Sequence, residues 1–171
     1  MTTMRFVLPG GERVPGIDVT QMRAVDRSMI EDFHIELAQM MENAGRNLAD
    51  LARSLFSPRS VAVLAGPEGN GGGRFAELID WANATSAPVL ALDTPSGLDL
   101  TAGTAATPCV QADATMTLAL PKVGLGRTVN VGALYLADIS VPPALFAAMG
   151  LEVPVIFRSG SVVAVRADDM S

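Results

Sequence analysis

The chain has 171 residues, 49% of them hydrophobic and only 18% charged, which is enough apolar material for one domain with a buried core and too much for a disordered tail. Its formal net charge of −6 and its lack of any Lys/Arg cluster exclude nucleic acid and anionic membranes as partners, because neutralising phosphates needs grouped cations. A single cysteine, Cys109, excludes a disulfide framework within the chain and a thiolate metal site, leaving the role of a small buried residue.

Residues 1–17 are rich in Gly and Pro and show no period, so an extended arm or loop is expected there. Asp18 or Thr20 then suits the cap of a helix with an apolar stripe of Met22, Val25, Met29 and Ile30. A second helix, 35–56, carries Leu37, Met40, Met41, Ala44, Leu48, Leu51 and Leu55 at helical spacing and is stopped by Pro58. The β-prone run 61–65 suits a strand buried on both faces, followed by a glycine loop over 66–73 and a helix over 75–84. Further buried strands are expected at 88–92, 114–120 and 134–139, with a terminal pair at 155–157 and 162–165. This alternation predicts an α/β fold in which two extra N-terminal helices precede the sheet.

Gly69-Asn70-Gly71-Gly72-Gly73 stands where a strand should end, the place for a nucleotide or phosphate loop. Glycines there let successive N–H groups converge on an anion, although a plain turn is the alternative reading. The spacing fits neither a Walker A loop nor the GxGxxG of a dinucleotide-binding dehydrogenase. Four stretches occur in order: MRAVDRSMIEDF, QMMENAGRNLADLA, VAVLAGPEGNGGG and VLALDTPSGLDLTAG; ATMTLALPKVGL and GALYLADISVP follow. Over nearly the whole chain this set resembles the NAD(P)H-hydrate epimerase family, the YjeF N-terminal domain.

The resemblance implies a Rossmann-like three-layer sandwich with a mostly parallel central sheet, usually a homodimer. It also implies an isomerase that interconverts the R and S forms of hydrated NADH and NADPH; with no leader-like segment and no apolar run of membrane length, the cytoplasm is the expected location. By the same resemblance, Gly69, Asn70, Gly71, Gly72, Gly73 and Asp93 bind the hydrate, while Asn70 and Ser96 hold a potassium ion. Lys122 matches a recurrent family position. Epimerising a carbon that bears a hydroxyl beside a ring nitrogen needs a group that takes and returns a proton. Asp93, at the carboxyl end of a buried strand, is the candidate catalytic residue; capping the turn at Pro95-Ser96-Gly97 is its other reading.

Two departures from the family pattern bear on function. Where the family loop has Asn-Asn-Gly-Gly-Asp, glycines stand here at Gly69 and Gly73, so backbone binding survives but two side chains are lost. Only 19 residues separate Gly73 from Asp93, room for one helix and one strand. A strand with its crossover helix takes about 30 residues, so roughly 60 or more are missing between Gly73 and Arg74 relative to the family. Either the chain is truly shortened or the molecule has a further middle segment. The first alternative favours a non-catalytic binding or scaffold module, the second an active epimerase.

Overall fold

The computed structural model describes residues 4–58, 60–62 and 74–168. Two three-residue strands, β1 (Arg5–Val7) and β2 (Arg13–Pro15), come first and pair antiparallel. They correct the expected loop over 1–17. Such short strands show no readable alternation, and β1 is held on its other side by β9 (Arg166–Ala167) from the far end of the chain.

Helix α1 (Val19–Glu31) starts at a reciprocal cap: the Gln21 N–H donates to Asp18 Oδ1 at 2.7 Å, and the Asp18 N–H donates to Gln21 Oε1 at 3.0 Å. Helix α2 (Leu37–Phe56) ends at Ser57, whose left-handed backbone (φ 44°) turns the chain out before Pro58. Within its expected apolar stripe Met40, Ala44 and Leu51 are buried, but Leu37, Met41 and Leu55 are exposed. Of the strand expected at 61–65, Val61 and Ala62 are exposed and not in a strand; the remainder lies outside the described residues.

After α3 (Arg74–Ala84) come β3 (Leu90–Leu92), the small hairpin β4 (Leu98–Asp99) and β5 (Thr104–Ala105), then β6 (Ala114–Leu118), β7 (Ala133–Ala137), α4 (Pro143–Ala148) and β8 (Val162–Ala164). The principal sheet has the order β3-β6-β7-β8. β3, β6 and β7 run parallel, with Leu90 opposite Ala114 and Ala114 opposite Ala133, and β8 closes the sheet antiparallel to β7. The fold is therefore α/β with a mixed sheet. The expected strand at 155–157 does not form, and Val155 is exposed.

β6 and β7 are the inner strands, and the first four residues of β6 are buried. Leu134 and Leu136 of β7 join the larger core with Phe6, Ile17, Met29 and Leu145, whereas Ala137 packs with Met116 and Leu51 of α2 in a second cluster. α2 is tied to the sheet by Asn47, which is 2% exposed. Its Nδ2 donates to Asp138 O at 2.8 Å, and its Oδ1 accepts from Ser161 Oγ at 2.7 Å. Truncating Asn47 to Ala strands both partners, so unfolding in urea should show a loss of about 1–3 kcal/mol.

Candidate active site

Three parallel strands deliver their carboxyl ends to one edge of the sheet, the edge at which open α/β sheets bind ligands. Each is followed there by a non-glycine residue with positive φ: Asp93 (62°) after β3, Ala119 (62°) after β6 and Ser140 (68°) after β7. Left-handed backbone at such residues costs free energy and persists only where the surroundings hold it, and it gathers at functional sites.

Asp93 is held at both ends. Its N–H donates to Met116 O at 2.8 Å, extending the β3–β6 ladder by one bond. Its Oδ1 accepts from three donors: Thr117 Oγ1 at 3.2 Å, Leu118 N at 3.3 Å and Lys122 Nζ. Oδ2 has no partner among the described residues. The Asp93 side chain is 37% exposed and that of Lys122 is 3% exposed, so the pair spans from the core to the sheet edge. Lys122 is fixed through its backbone as well. The Ile17 N–H donates to Pro121 O at 2.9 Å, and the Val123 N–H donates to Ile17 O at 3.0 Å. Those two bonds seat the start of α1 against the Lys122 segment.

α1 brings a second carboxyl group to this pair. Asp26 is half-buried, and burial pushes its pKa above the ordinary aspartate value of 3.8; the Lys122 charge acts against that rise and the Asp93 charge adds to it. Asp26 lies inside the MRAVDRSMIEDF stretch, but the helical pattern there marks only the apolar stripe; an aspartate one position beyond Val25 carries no sequence signal of its own. A raised native pKa means that the folded state binds more protons than the unfolded state between 3.8 and the raised value. Stability is therefore lost as pH rises through that window. Asp26→Asn should unfold at higher temperature than the parent at neutral pH, and the difference should vanish below pH 3.8, as thermal melts across that range would record.

Residues of two further motifs meet at the same edge. Asn43, of Met-Glu-Asn-Ala-Gly, donates from Nδ2 to Ser140 Oγ at 3.0 Å and accepts at Oδ1 from Arg46. A cavity of about 860 Å³ opens beside Ala119, Asp138 and Ser140 and is walled by Phe146, Ile156 and Phe157. Ser96 is exposed in the turn after Asp93, and its carbonyl accepts from Val110 N at 2.9 Å. Gly69, Asn70, Gly71, Gly72 and Gly73 lie outside the described residues. Of the expected site residues, the structure therefore brings Asp93 against Lys122. Cys109 is buried, and burial raises its thiol pKa, consistent with a packing role. Among the described residues no cluster of His, Cys, Asp and Glu could hold a metal, and no helix is long and apolar enough to cross a membrane.

The profile of the family described as YjeF-related protein N-terminus matches residues 73–124, the stretch that carries Asp93, Ser96, Thr117 and Lys122. A protein of Dehalogenimonas lykanthroporepellens named NAD(P)H-hydrate epimerase is 29% identical, over 87% of this chain and 91% of the relative. Over most of its length the chain is thus similar to a protein named NAD(P)H-hydrate epimerase. Another epimerase of that name, from Rhodopirellula baltica, is 24% identical over 76% of this chain and 86% of its own length. A third, from Truepera radiovictrix, is 44% identical over 50% of this chain and 39% of its own length. The Dehalogenimonas epimerase alignment runs over 225 positions against a chain of 171 residues, so at least 54 positions face no residue here.

Proposed function

We propose that this chain is an NAD(P)H-hydrate epimerase, an isomerase that interconverts the R and S forms of hydrated NADH and NADPH in cofactor repair. The observation that carries this reading is the Asp93 carboxylate: three donors hold one oxygen, and the other is free among the described residues at the ligand-binding edge. If epimerisation runs by loss and return of water, a proton must reach the departing hydroxyl and be recovered from the returning water; if it runs by ring opening, the hydroxyl proton must leave and come back. The same carboxylate oxygen can carry it both ways, and no oxidant or reductant is consumed.

Gly69, Asn70, Gly71, Gly72 and Gly73 would bind the hydrate together with Asp93, and Asn70 and Ser96 would hold a potassium ion. The turn after Asp93 suits such a cation in its chemistry. Ser96 is exposed, and two residues before it Thr94 Oγ1 is buried without a partner among the described residues. Neutral oxygens of this kind are what a hard cation takes. Once bound, the ion would draw the turn and the glycine loop together and polarise the ligand.

The reading also takes the molecule as a cytoplasmic homodimer with a Rossmann-like three-layer sandwich, completed by a middle segment between Gly73 and Arg74. The family match begins at residue 73, and the positions without counterpart in the Dehalogenimonas alignment are of the number such a segment needs. Gly69 and Gly73, in place of the family's Asn and Asp, favour a second reading, a nucleotide-metabolite binding or scaffold module of the same fold. Epimerisation of separated S and R hydrates, with and without potassium, distinguishes the two. Interconversion supports the enzyme; hydrate binding without turnover supports the module. The intact mass of the purified protein tests the middle segment, which would add several kilodaltons to 17.8 kDa.

A further inference from the structure

We propose that Lys122 is the positioning residue of this site. Its ammonium clamps Oδ1 of Asp93, directly and through Thr117, so that Oδ2 is the oxygen left to exchange a proton with the substrate. The inference rests on the epimerase reading above and adds to it a division of labour between two side chains.

An ammonium has three N–H donors and no acceptor. Lys122 Nζ uses all three inside the protein: on Asp93 Oδ1, on Thr117 Oγ1 at 3.2 Å and on Leu118 O at 3.1 Å. It is therefore saturated, and a ligand could take a bond from it only by breaking one of these. At 3% exposure it is also screened from the edge where a substrate would lie. A cation this deeply buried is tolerable only with such partners, since an unpaired charge in the interior is costly.

Thr117 completes the clamp. Its hydroxyl accepts from Lys122 and donates to Asp93 Oδ1, so the lysine orders the hydroxyl proton toward the carboxylate. Thr117 is fully buried on β6, and Lys122 is pinned by the strand-like bridge to Ile17. Both ends of the clamp thus sit on elements that do not depend on a ligand. Asp93 needs the restraint because it follows the last residue of β3 with a left-handed backbone, and its carboxylate is otherwise free to turn into solvent.

Lys122→Met keeps much of the side chain's length and removes its charge and donors. The expected result is a kcat about a hundredfold lower, the scale set by misplacing a catalytic group by an ångström. KM for the hydrate should move by less than about threefold, since no substrate contact is lost. Thr117→Val should lower kcat in the same direction by a smaller factor, again without moving KM, and it tests the clamp should Lys122→Met fail to fold. Ethylamine added to Lys122→Ala should restore part of kcat by supplying an ammonium at the same place. A rise in KM with kcat intact would overturn the proposal and make Lys122 a substrate contact, and unchanged kinetics in both variants would overturn it outright. If the parent protein itself does not epimerise, the functional reading falls, and crystal structures of Lys122→Met and Thr117→Val decide the clamp alone. A displaced Asp93 carboxylate would uphold it, and an unmoved one would overturn it.

Discussion

Replacing Asp93 by Asn is expected to lower kcat/KM for hydrate epimerisation by about 10²–10⁴-fold, the range supplied by a positioned acid–base group. Asn is the informative substitution for two reasons. It tolerates left-handed backbone better than other L-residues apart from glycine, so the φ of 62° survives. It also preserves the size of the group that meets Thr117, Leu118 and Lys122 while removing its capacity to carry a proton. The charge of Lys122 is then left buried beside a neutral amide. Breaking a fully buried ion pair costs about 3–5 kcal/mol, but Asp93 is 37% exposed and solvent takes up part of that loss.

Activity and stability must therefore be separated. In the double variant Asp93→Asn/Lys122→Met the stranded charge is gone, so most of the lost stability should return while activity stays at the level of the single Asp93 variant. Retention of near-parental turnover in Asp93→Asn would assign the aspartate to the Pro95-Ser96-Gly97 turn instead, and would leave the epimerase reading without its base. The comparison needs only the hydrate assay and chemical denaturation of four proteins.

How much of this was legible in advance depended on the range of the interactions involved. The cap at Asp18 and Gln21 is local, three residues apart, and the sequence carries it openly. β6 was readable because its residues are buried on both faces and form one β-prone run without a charge. Asp93 and Ser96 were found through a contiguous motif, Asp-Thr-Pro-Ser-Gly. The partnership of Asp93 with Lys122 was not, because it spans 29 residues and is created by the parallel register of β3 on β6. Asp26 was hidden for the same reason: only the seating of Ile17 on the Lys122 segment turns that point of α1 toward the pair. The β1–β2 hairpin escaped because its strands are stabilised by β9 rather than by any pattern of their own. Apolar spacing on α2 overstated burial, since Leu37 and Met41 continue the stripe beyond the part that meets the sheet.

Gly97→Ala is expected to be the most disruptive single-methyl change at the site. Gly97 has φ of 93°, and a Cβ there would lie 2.7 Å from Pro108 O and 2.9 Å from Cys109 Cα. Both obstacles are backbone, so no side chain can swing aside to make room. The turn is laced to that same segment: the Val110 N–H donates to Ser96 O at 2.9 Å, and the Ala106 N–H donates to Gly97 O at 2.8 Å. Relieving the clash means parting these bonds, which carries Ser96 and, four residues upstream of the glycine, Asp93 away from their places. The left-handed backbone alone costs about 1–3 kcal/mol in a residue with a side chain. For a domain of this size each kcal/mol lowers the melting temperature by roughly 2–4 °C, so a fall of about 2–12 °C is expected, together with loss of turnover. Gly45 supplies the internal control. It lies within α2, a Cβ there meets nothing within 4 Å, and Ala is the better helix former by about 1 kcal/mol. Gly45→Ala should therefore raise the melting temperature by a few degrees. Opposite signs in the two melts would locate the demand for glycine in the turn that carries Ser96. A fall in both would mean that the α2 glycine, too, faces something closely packed in the assembled molecule.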